Sequence, residues 1–180
     1  MIKNRRQFVK QILKDCKMGV EVGSFEGSFA RYILETIDIE MLYLIEPFAM
    51  RWADKNEEKW MKCLKNIEPH QDRASLIEGY SVPMSECFED GELDFVYIDA
   101  DHSYECTKED IEAWYPKVKK GGIVSGHDYK NNGNARSKAM LGTRRLGVCG
   151  VKRAVDEFTH KLGVSLRTTH KEPRNWWFIK

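Results

Sequence analysis

Five short apolar runs recur along this chain, each closed by a glycine or a carboxylate: Gly19–Val22, Met41–Ile45, Ala74–Ile77, Phe95–Ile98 and Ile123–Ser125. Helix-like segments follow most of them. Ser28–Thr36 carries Phe29, Tyr32, Ile33 and Ile37 at helical spacing, Ala49–Ile67 carries Trp52, Trp60, Leu64 and Ile67, and Cys106–Val118 and Val151–Leu162 follow later strands. Strand and helix in alternation predict an α/β fold built on a parallel sheet. Phe95–Ile98 is apolar throughout, the pattern of a strand covered on both faces. The helix over 106–118 is expected to stop at Gly121-Gly122, with Lys117, Lys119 and Lys120 complementing its dipole. Val164–Thr168 and Trp176–Ile179 read as a closing hairpin, and Trp114, Trp176 and Trp177 as core or sheet-edge packing.

A chain of 180 residues suits one domain, 1–180, with one core. With 29 basic against 28 acidic residues the net charge is +1, which disfavours a nucleic-acid partner. The charge is locally uneven. Ser85–Glu112 is acidic and Tyr129–Val155 basic, which fits either two solvated faces or an acidic mouth beside a basic lid. Residues 130–150, with Arg136–Arg145, form a connection long enough to be a substrate lid or a surface loop. The five cysteines are odd in number and lack a Cys-x-x-Cys pair, so neither a disulfide framework nor a zinc knuckle is expected. A reducing cytoplasm fits them. Neither a signal peptide nor a membrane span is expected.

Ligands of open α/β sheets bind at the carboxyl ends of the strands, so the residues after each run carry the chemistry. Glu21-x-Gly23-x-x-x-Gly27 joins the first strand to a helix, where glycines permit a sharp turn and close approach to a ligand. Alone, it is equally a tight structural turn. The dinucleotide Gly-x-Gly-x-x-Gly and the phosphate-loop Lys-Ser/Thr are both missing. Glu46, about twenty residues on, can accept both hydroxyls of a ribose. His102, three residues past Asp99, is a candidate base, because an imidazole with pKa near ~6.5 suits proton removal from an attacking hydroxyl. A serine-hydrolase triad is not expected, since Gly-x-Ser-x-Gly is missing.

The segments VEVGSFEGS (20–28), LYLIEPF (42–48), DFVYIDADHSY (94–104), GGIVSGHDY (121–129) and GVKRAVDEF (150–158) resemble the class I S-adenosylmethionine-dependent methyltransferases. The similarity is to methyltransferase family 24, related to catechol-type and macrolide-sugar O-methyltransferases. It implies a Rossmann-like seven-stranded sheet of order 3-2-1-4-5-7-6, the last strand antiparallel, with helices on both faces. Implied cofactor contacts are Glu21, Gly23, Ser24 and Gly27 for the methionine part and Glu46 for the ribose. The turn with Gly79 and Ser81 serves adenine, and Asp99 the amino group. The resemblance further implies His102 as base and Asp128 beside it. A divalent metal, Mg²⁺ or Mn²⁺, is implied on Asp99, His127 and Asp128, although imidazole is a poor partner for a hard cation.

The expected function is O-methylation of a small hydroxylated metabolite or sugar. An S-adenosylmethionine-binding module without transferase activity and a metal-dependent hydroxylase-like enzyme are the alternatives. Residues 1–18 precede the first strand and supply little roof, so a roof is expected from residues 130–150 or from a second copy in a homo-oligomer.

Overall fold

The computed structural model describes residues 1–47, 53–130, 134–135 and 147–180. Its elements are α1 (Arg5–Ile12), β1 (Met18–Val22), α2 (Ser28–Thr36), β2 (Met41–Glu46), α3 (Ala53–Ile67), β3 (Ala74–Glu78), α4 (Ser81–Ser85), β4 (Leu93–Ile98), α5 (Tyr104–Trp114), β5 (Val118–Gly126), β6 (Asn134–Ala135), β7 (Gly147–Val148), α6 (Val151–Leu162), β8 (Arg167–Thr168) and β9 (Trp176–Ile179). Seven strands form one sheet in the order β3-β2-β1-β4-β5-β9-β8. With β8 and β9 as sixth and seventh strands, this is the expected 3-2-1-4-5-7-6. The pairs among β1–β5 are parallel, and β9 runs antiparallel to β5 and β8.

Side chains alternate across the pleat, and the two faces of the sheet take different partners. On β4, Phe95 and Tyr97 join Phe8, Phe29, Ile33 and Leu34 under α1 and α2. Val96 and Ile98 join Trp114, Val151 and Val155 under α5 and α6. The last strand divides likewise, Trp177 to the first face and Trp176 with Phe178 to the second. Each fully buried aromatic or aliphatic side chain contributes about 1.5–3 kcal/mol, so these two layers carry most of the stabilisation.

Several boundaries differ from expectation. The helix expected over 106–118 begins at Tyr104, because the Ser103 hydroxyl caps it by accepting the Cys106 N–H at 3.4 Å. It ends at Trp114, where Pro116 forbids continuation. β5 then starts at Val118, so Gly121-Gly122 lies within a strand rather than stopping a helix. The β4–β5 register jumps from Leu93↔Val118 to Phe95↔Ile123, a bulge that absorbs Gly121 at φ +82°. Lys117 and Lys119 therefore pair with Asp90 and Asp94 instead of a helix end.

The polar-looking N-terminus forms α1. Asn4 caps it by accepting the Gln7 N–H at 3.0 Å, and Phe8, Val9 and Leu13 are buried. Of the expected lid, β6 and β7 pair as a short antiparallel ribbon, whereas Arg136–Arg145 lies outside the described residues, as do Ala49 and Trp52 of the expected second helix. Trp60 packs half-buried against the α1/α2 layer. Among the described residues, no helix is long and apolar enough to cross a membrane.

Candidate active site

The carboxyl ends of β1, β4 and β5 meet at one edge of the sheet. The Asp99 N–H donates to Val22 O at 2.8 Å, and the His127 N–H donates to Ile98 O at 3.0 Å. The turn after β1 runs so close to β4 that a Cβ on Gly23 would stand 2.3 Å from the Asp99 carbonyl oxygen. Gly23 also has φ +88°, so this position requires glycine on two counts. Further along the turn the Gly27 N–H donates to Ser24 O at 2.8 Å, and the Ser24 hydroxyl donates to Glu21 O at 3.3 Å.

Glu21 is 2 % exposed. Its carboxyl accepts the Ala30 N–H in the first turn of α2, while Oε2 is buried with no hydrogen-bond partner among the described residues. Burial pushes its pKa up to about 8; Arg5 opposes this, and the charges of Asp99 and Glu46 add to it. Glu46, at the end of β2, accepts the Phe25 N–H at 2.9 Å. Phe25 holds the left-handed φ of +52°, uncommon for a bulky residue, and leaves its ring half-exposed beneath Lys59 Nζ, 4.2 Å from the ring centroid.

Asp99 is the hub. Its Oδ2 accepts from Arg5 Nη2 at 2.7 Å, while Oδ1 lies 3.2 Å from His102 Nε2 and 3.5 Å from His127 Nδ1. Burial alone would raise its pKa, but the hydrogen bonds from both histidines and the charges of His127 and Arg5 outweigh it and hold the carboxyl ionised, well below the usual range. Asp128 faces the same imidazole, with Oδ2 3.6 Å from His102 Nε2. It has φ +50°, a left-handed turn that aspartate tolerates better than most residues. Burial lowers the His102 pKa, yet the bond to Asp99 and the charges of Asp99, Asp128 and Asp101 raise it further, leaving a net upward shift. The His102 backbone is pinned as well, its carbonyl accepting the Gly150 N–H at 2.8 Å.

The fold thus gathers Glu21, Gly23, Asp99, His102, His127 and Asp128 at one edge, with Glu46 on the neighbouring strand. Gly79 joins through its N–H, which donates to Glu46 O at 3.4 Å. Ser81 has a structural partner: its hydroxyl accepts the indole N–H of buried Trp114 at 2.9 Å. Arg5 escaped the sequence reading. Its guanidinium lies 3.6 Å from the Phe29 ring centroid and 5.0 Å from that of Tyr97, sandwiched between the aromatic layer and Asp99. Nothing local marks it in the sequence, because its role comes from the docking of α1.

The buried acids suit a cationic ligand. Glu46 and Asp99 supply negative potential, a cation would draw the proton off Glu21, and the Glu21 Oε2 atom, orphaned among the described residues, has hydrogen-bonding capacity to offer it. A sulfonium with an ammonium beside it fits this environment, whereas a dinucleotide pyrophosphate would be repelled. A hard divalent ion on Asp99, His127 and Asp128 fits poorly. Each carboxylate already carries a cation, Arg5 on Asp99 at 2.7 Å and Lys130 on Asp128 at 2.9 Å. Among the described residues, no group of three His, Cys, Asp or Glu side chains has metal-holding geometry.

Comparison with known proteins identifies the family and the fold. A methyltransferase domain family model matches residues 20–129, from β1 to just past β5. An uncharacterized protein, R132, of Acanthamoeba polyphaga mimivirus is 30% identical over 124 residues, which cover 66% of this chain and 54% of that protein, so the chain spans about half the length of this curated relative. A structure described as a candidate caffeoyl-CoA O-methyltransferase from Staphylococcus aureus superposes with a TM-score of 0.73 at 19% identity, covering 100% of this chain and 85% of its own. The O-methyltransferase from Bacillus cereus in complex with SAH superposes with a TM-score of 0.71 at 16% identity, covering 98% and 80%. At these identities the two structures establish the fold.

Proposed function

Because the chain belongs to the methyltransferase domain family, matched over 20–129, we propose that it transfers a methyl group from S-adenosylmethionine to a hydroxyl oxygen of a small molecule. The observation that carries this reading is the imidazole of His102, whose Nε2 lies 3.2 Å from Asp99 and 3.6 Å from Asp128, with the Asp99 backbone bonded to Val22 in the Glu21–Gly27 turn. When bound, the cofactor supplies a methyl activated by positively charged sulfur. Glu21, Gly23, Ser24 and Gly27 would hold its methionine part, Glu46 the ribose, and the turn at Gly79 the base.

Asp99 stays ionised and accepts Nε2–H of His102, which fixes the tautomer and leaves Nδ1 as the basic nitrogen. His102 takes the hydroxyl proton as the acceptor oxygen attacks, and Asp99 and Asp128 stabilise the imidazolium that results. The remainder of the rate comes from positioning. No step needs a divalent ion, since Arg5 and Lys130 already balance the two carboxylates.

Calorimetry with S-adenosylhomocysteine tests the cofactor, and methyl transfer from labelled cofactor to a panel of hydroxylated acceptors tests the chemistry. His102→Ala should keep S-adenosylhomocysteine affinity within about twofold. Turnover should fall by about 10²–10⁴, the usual worth of a general base. An undiminished rate would remove His102 from the mechanism. Absence of binding at millimolar S-adenosylhomocysteine would remove the cofactor.

A further inference from the structure

We propose that the cavity between α1 and α2 binds an anionic group, a carboxylate or phosphate, of the methyl acceptor; this rests on the methyl-transfer reading above and narrows its substrate class. The cavity has a volume of about 380 Å³ and is lined by Arg5, Arg6, Arg31, Tyr32, Phe29 and Glu35, among others. That is many times the ~30 Å³ share of one water and reaches the range of small-molecule sites. Three guanidiniums and one carboxylate line it, with Arg31 and Glu35 on the same helix. Asp99 engages Arg5 and Glu35 engages Arg31, each at 2.7 Å. Arg6 packs its guanidinium 5.5 Å from the Tyr32 ring centroid, and among the described residues no ion pair to a carboxylate is formed by it. The cavity therefore carries excess positive charge on side chains whose planar forks match an oxyanion.

Arg5 links the cavity to the chemistry. The same guanidinium that lines it holds Asp99, and Asp99 holds His102 at 3.2 Å. An acceptor anchored by its anion on Arg6 and Arg31 would thus extend past Arg5 toward the imidazole. Charge separates this site from the cofactor's: the acids Glu21, Glu46 and Asp99 suit the sulfonium, while the arginines suit an anion. Glu35 is the built-in competitor, occupying the Arg31 fork that an incoming anion would claim.

The probes are inorganic phosphate and acetate, titrated separately at constant ionic strength and followed by the NMR signals of the arginine Nε–H groups. Arg6→Gln with Arg31→Gln removes two exposed side chains and should leave the fold intact, checked by thermal unfolding. Saturable phosphate or acetate binding to the wild type should weaken about fivefold in that double variant and tighten about twofold in Glu35→Gln, as expected for partly screened charges. S-adenosylhomocysteine affinity should stay unchanged in both. The stronger of the two probes tells whether the group is phosphate-like or carboxylate-like. Anion binding that ignores the double variant overturns the proposal. So does a tenfold loss of S-adenosylhomocysteine affinity in the double variant, because the arginines would then serve the cofactor. Failure of the wild type to bind S-adenosylhomocysteine would instead sink the methyl-transfer reading, leaving an anion site without an acceptor role.

Discussion

The two faces of the sheet are built to different rules. Under α5 and α6 the layer is apolar, with Val20, Val22, Val96, Ile98, Trp114 and Trp176 packed together, and the indole N–H groups of both tryptophans find single oxygens, on Ser81 and His127. Under α1 and α2 the layer is aromatic but charged at its rim. Arg5 lies against Phe29 and Tyr97, Glu21 is buried beneath the start of α2, and Trp177 Nε1 is buried with no hydrogen-bond partner among the described residues. One face is a foundation, and the other brings Arg5 and Glu21 to the candidate site at the carboxyl ends of the strands. A single strand serves both because β4 sends alternate side chains to each and ends at Asp99.

The largest effect belongs to the foundation. Trp114→Ala removes a fully buried indole and should cost about 3–5 kcal/mol in denaturant unfolding. A loss under 1 kcal/mol would mean that the α5/α6 layer can collapse into the space, and the contrast between rigid and charged faces would fail. On the other face, Arg5→Met keeps much of the volume but strips Asp99 of its cation. The expected loss is about 1.5–3 kcal/mol, the range of a charge-assisted bond. The diagnostic change is in the pH–rate profile. Without Arg5, Asp99 stays ionised through its histidine bonds and no longer shares its charge with a guanidinium, so it draws harder on the His102 proton and the acid limb of the profile should move to higher pH even at temperatures where the variant is fully folded.

The site was more legible in the sequence than its surroundings. Gly23, Glu46, Asp99 and Asp128 could be placed because each follows an apolar run, and a run fixes where its strand ends; Glu21 stood out as the one carboxylate inside the first run. Arg5 could not, because its partners Phe29, Tyr97 and Asp99 lie far along the chain and only the docking of α1 brings them together. Its helix did leave a trace, the Asn4 cap followed by Phe8, Val9 and Leu13, masked by three basic residues in the same stretch, Arg5, Arg6 and Lys10. The Cys106–Val118 boundary failed for a local reason: Pro116 is a stronger stop than the glycines beyond it. Ser81 looked like a cofactor contact from its place after β3, and α4 is too short to show a period that would have revealed its bond to Trp114.

Glu21 supplies a smaller, pH-graded effect that sets the faces apart again. Its folded pKa of about 8 lies above the ordinary glutamate value of 4.5, so between those values the folded state keeps a proton that the unfolded state has lost. Stability must therefore fall as pH rises through that window, by at most ~1.4 kcal/mol per pH unit from this one group. His102, also shifted upward, adds a fall as pH rises from its ordinary value of 6.5 through its folded pKa. Asp99 acts oppositely, its contribution being present above 3.8 and lost as pH falls below that. Thermal unfolding from pH 5 to 9 should show the decline, and Glu21→Gln should flatten most of it; an equally steep slope in that variant would place the titration elsewhere. A cationic ligand should lower the Glu21 pKa, so cofactor binding near neutral pH should release a proton, visible as a dependence of the calorimetric heat on buffer ionisation.

The smallest effect tests where the foundation touches the site. Ser81→Ala leaves the Trp114 indole N–H without its acceptor, inside a buried layer. A lost neutral bond of this kind costs about 1 kcal/mol, up to ~3 if no water reaches the donor. If Ser81 only supports Trp114, S-adenosylhomocysteine affinity should be unchanged within about twofold once the variant is folded. If its hydroxyl also touches the base, affinity should fall about fivefold, the worth of one neutral hydrogen bond. The Ser81 oxygen accepts from Trp114 but still has a proton to donate, so both roles are chemically open to it. The ratio of the stability loss to the affinity loss then measures how far the apolar face reaches into the ligand's surroundings.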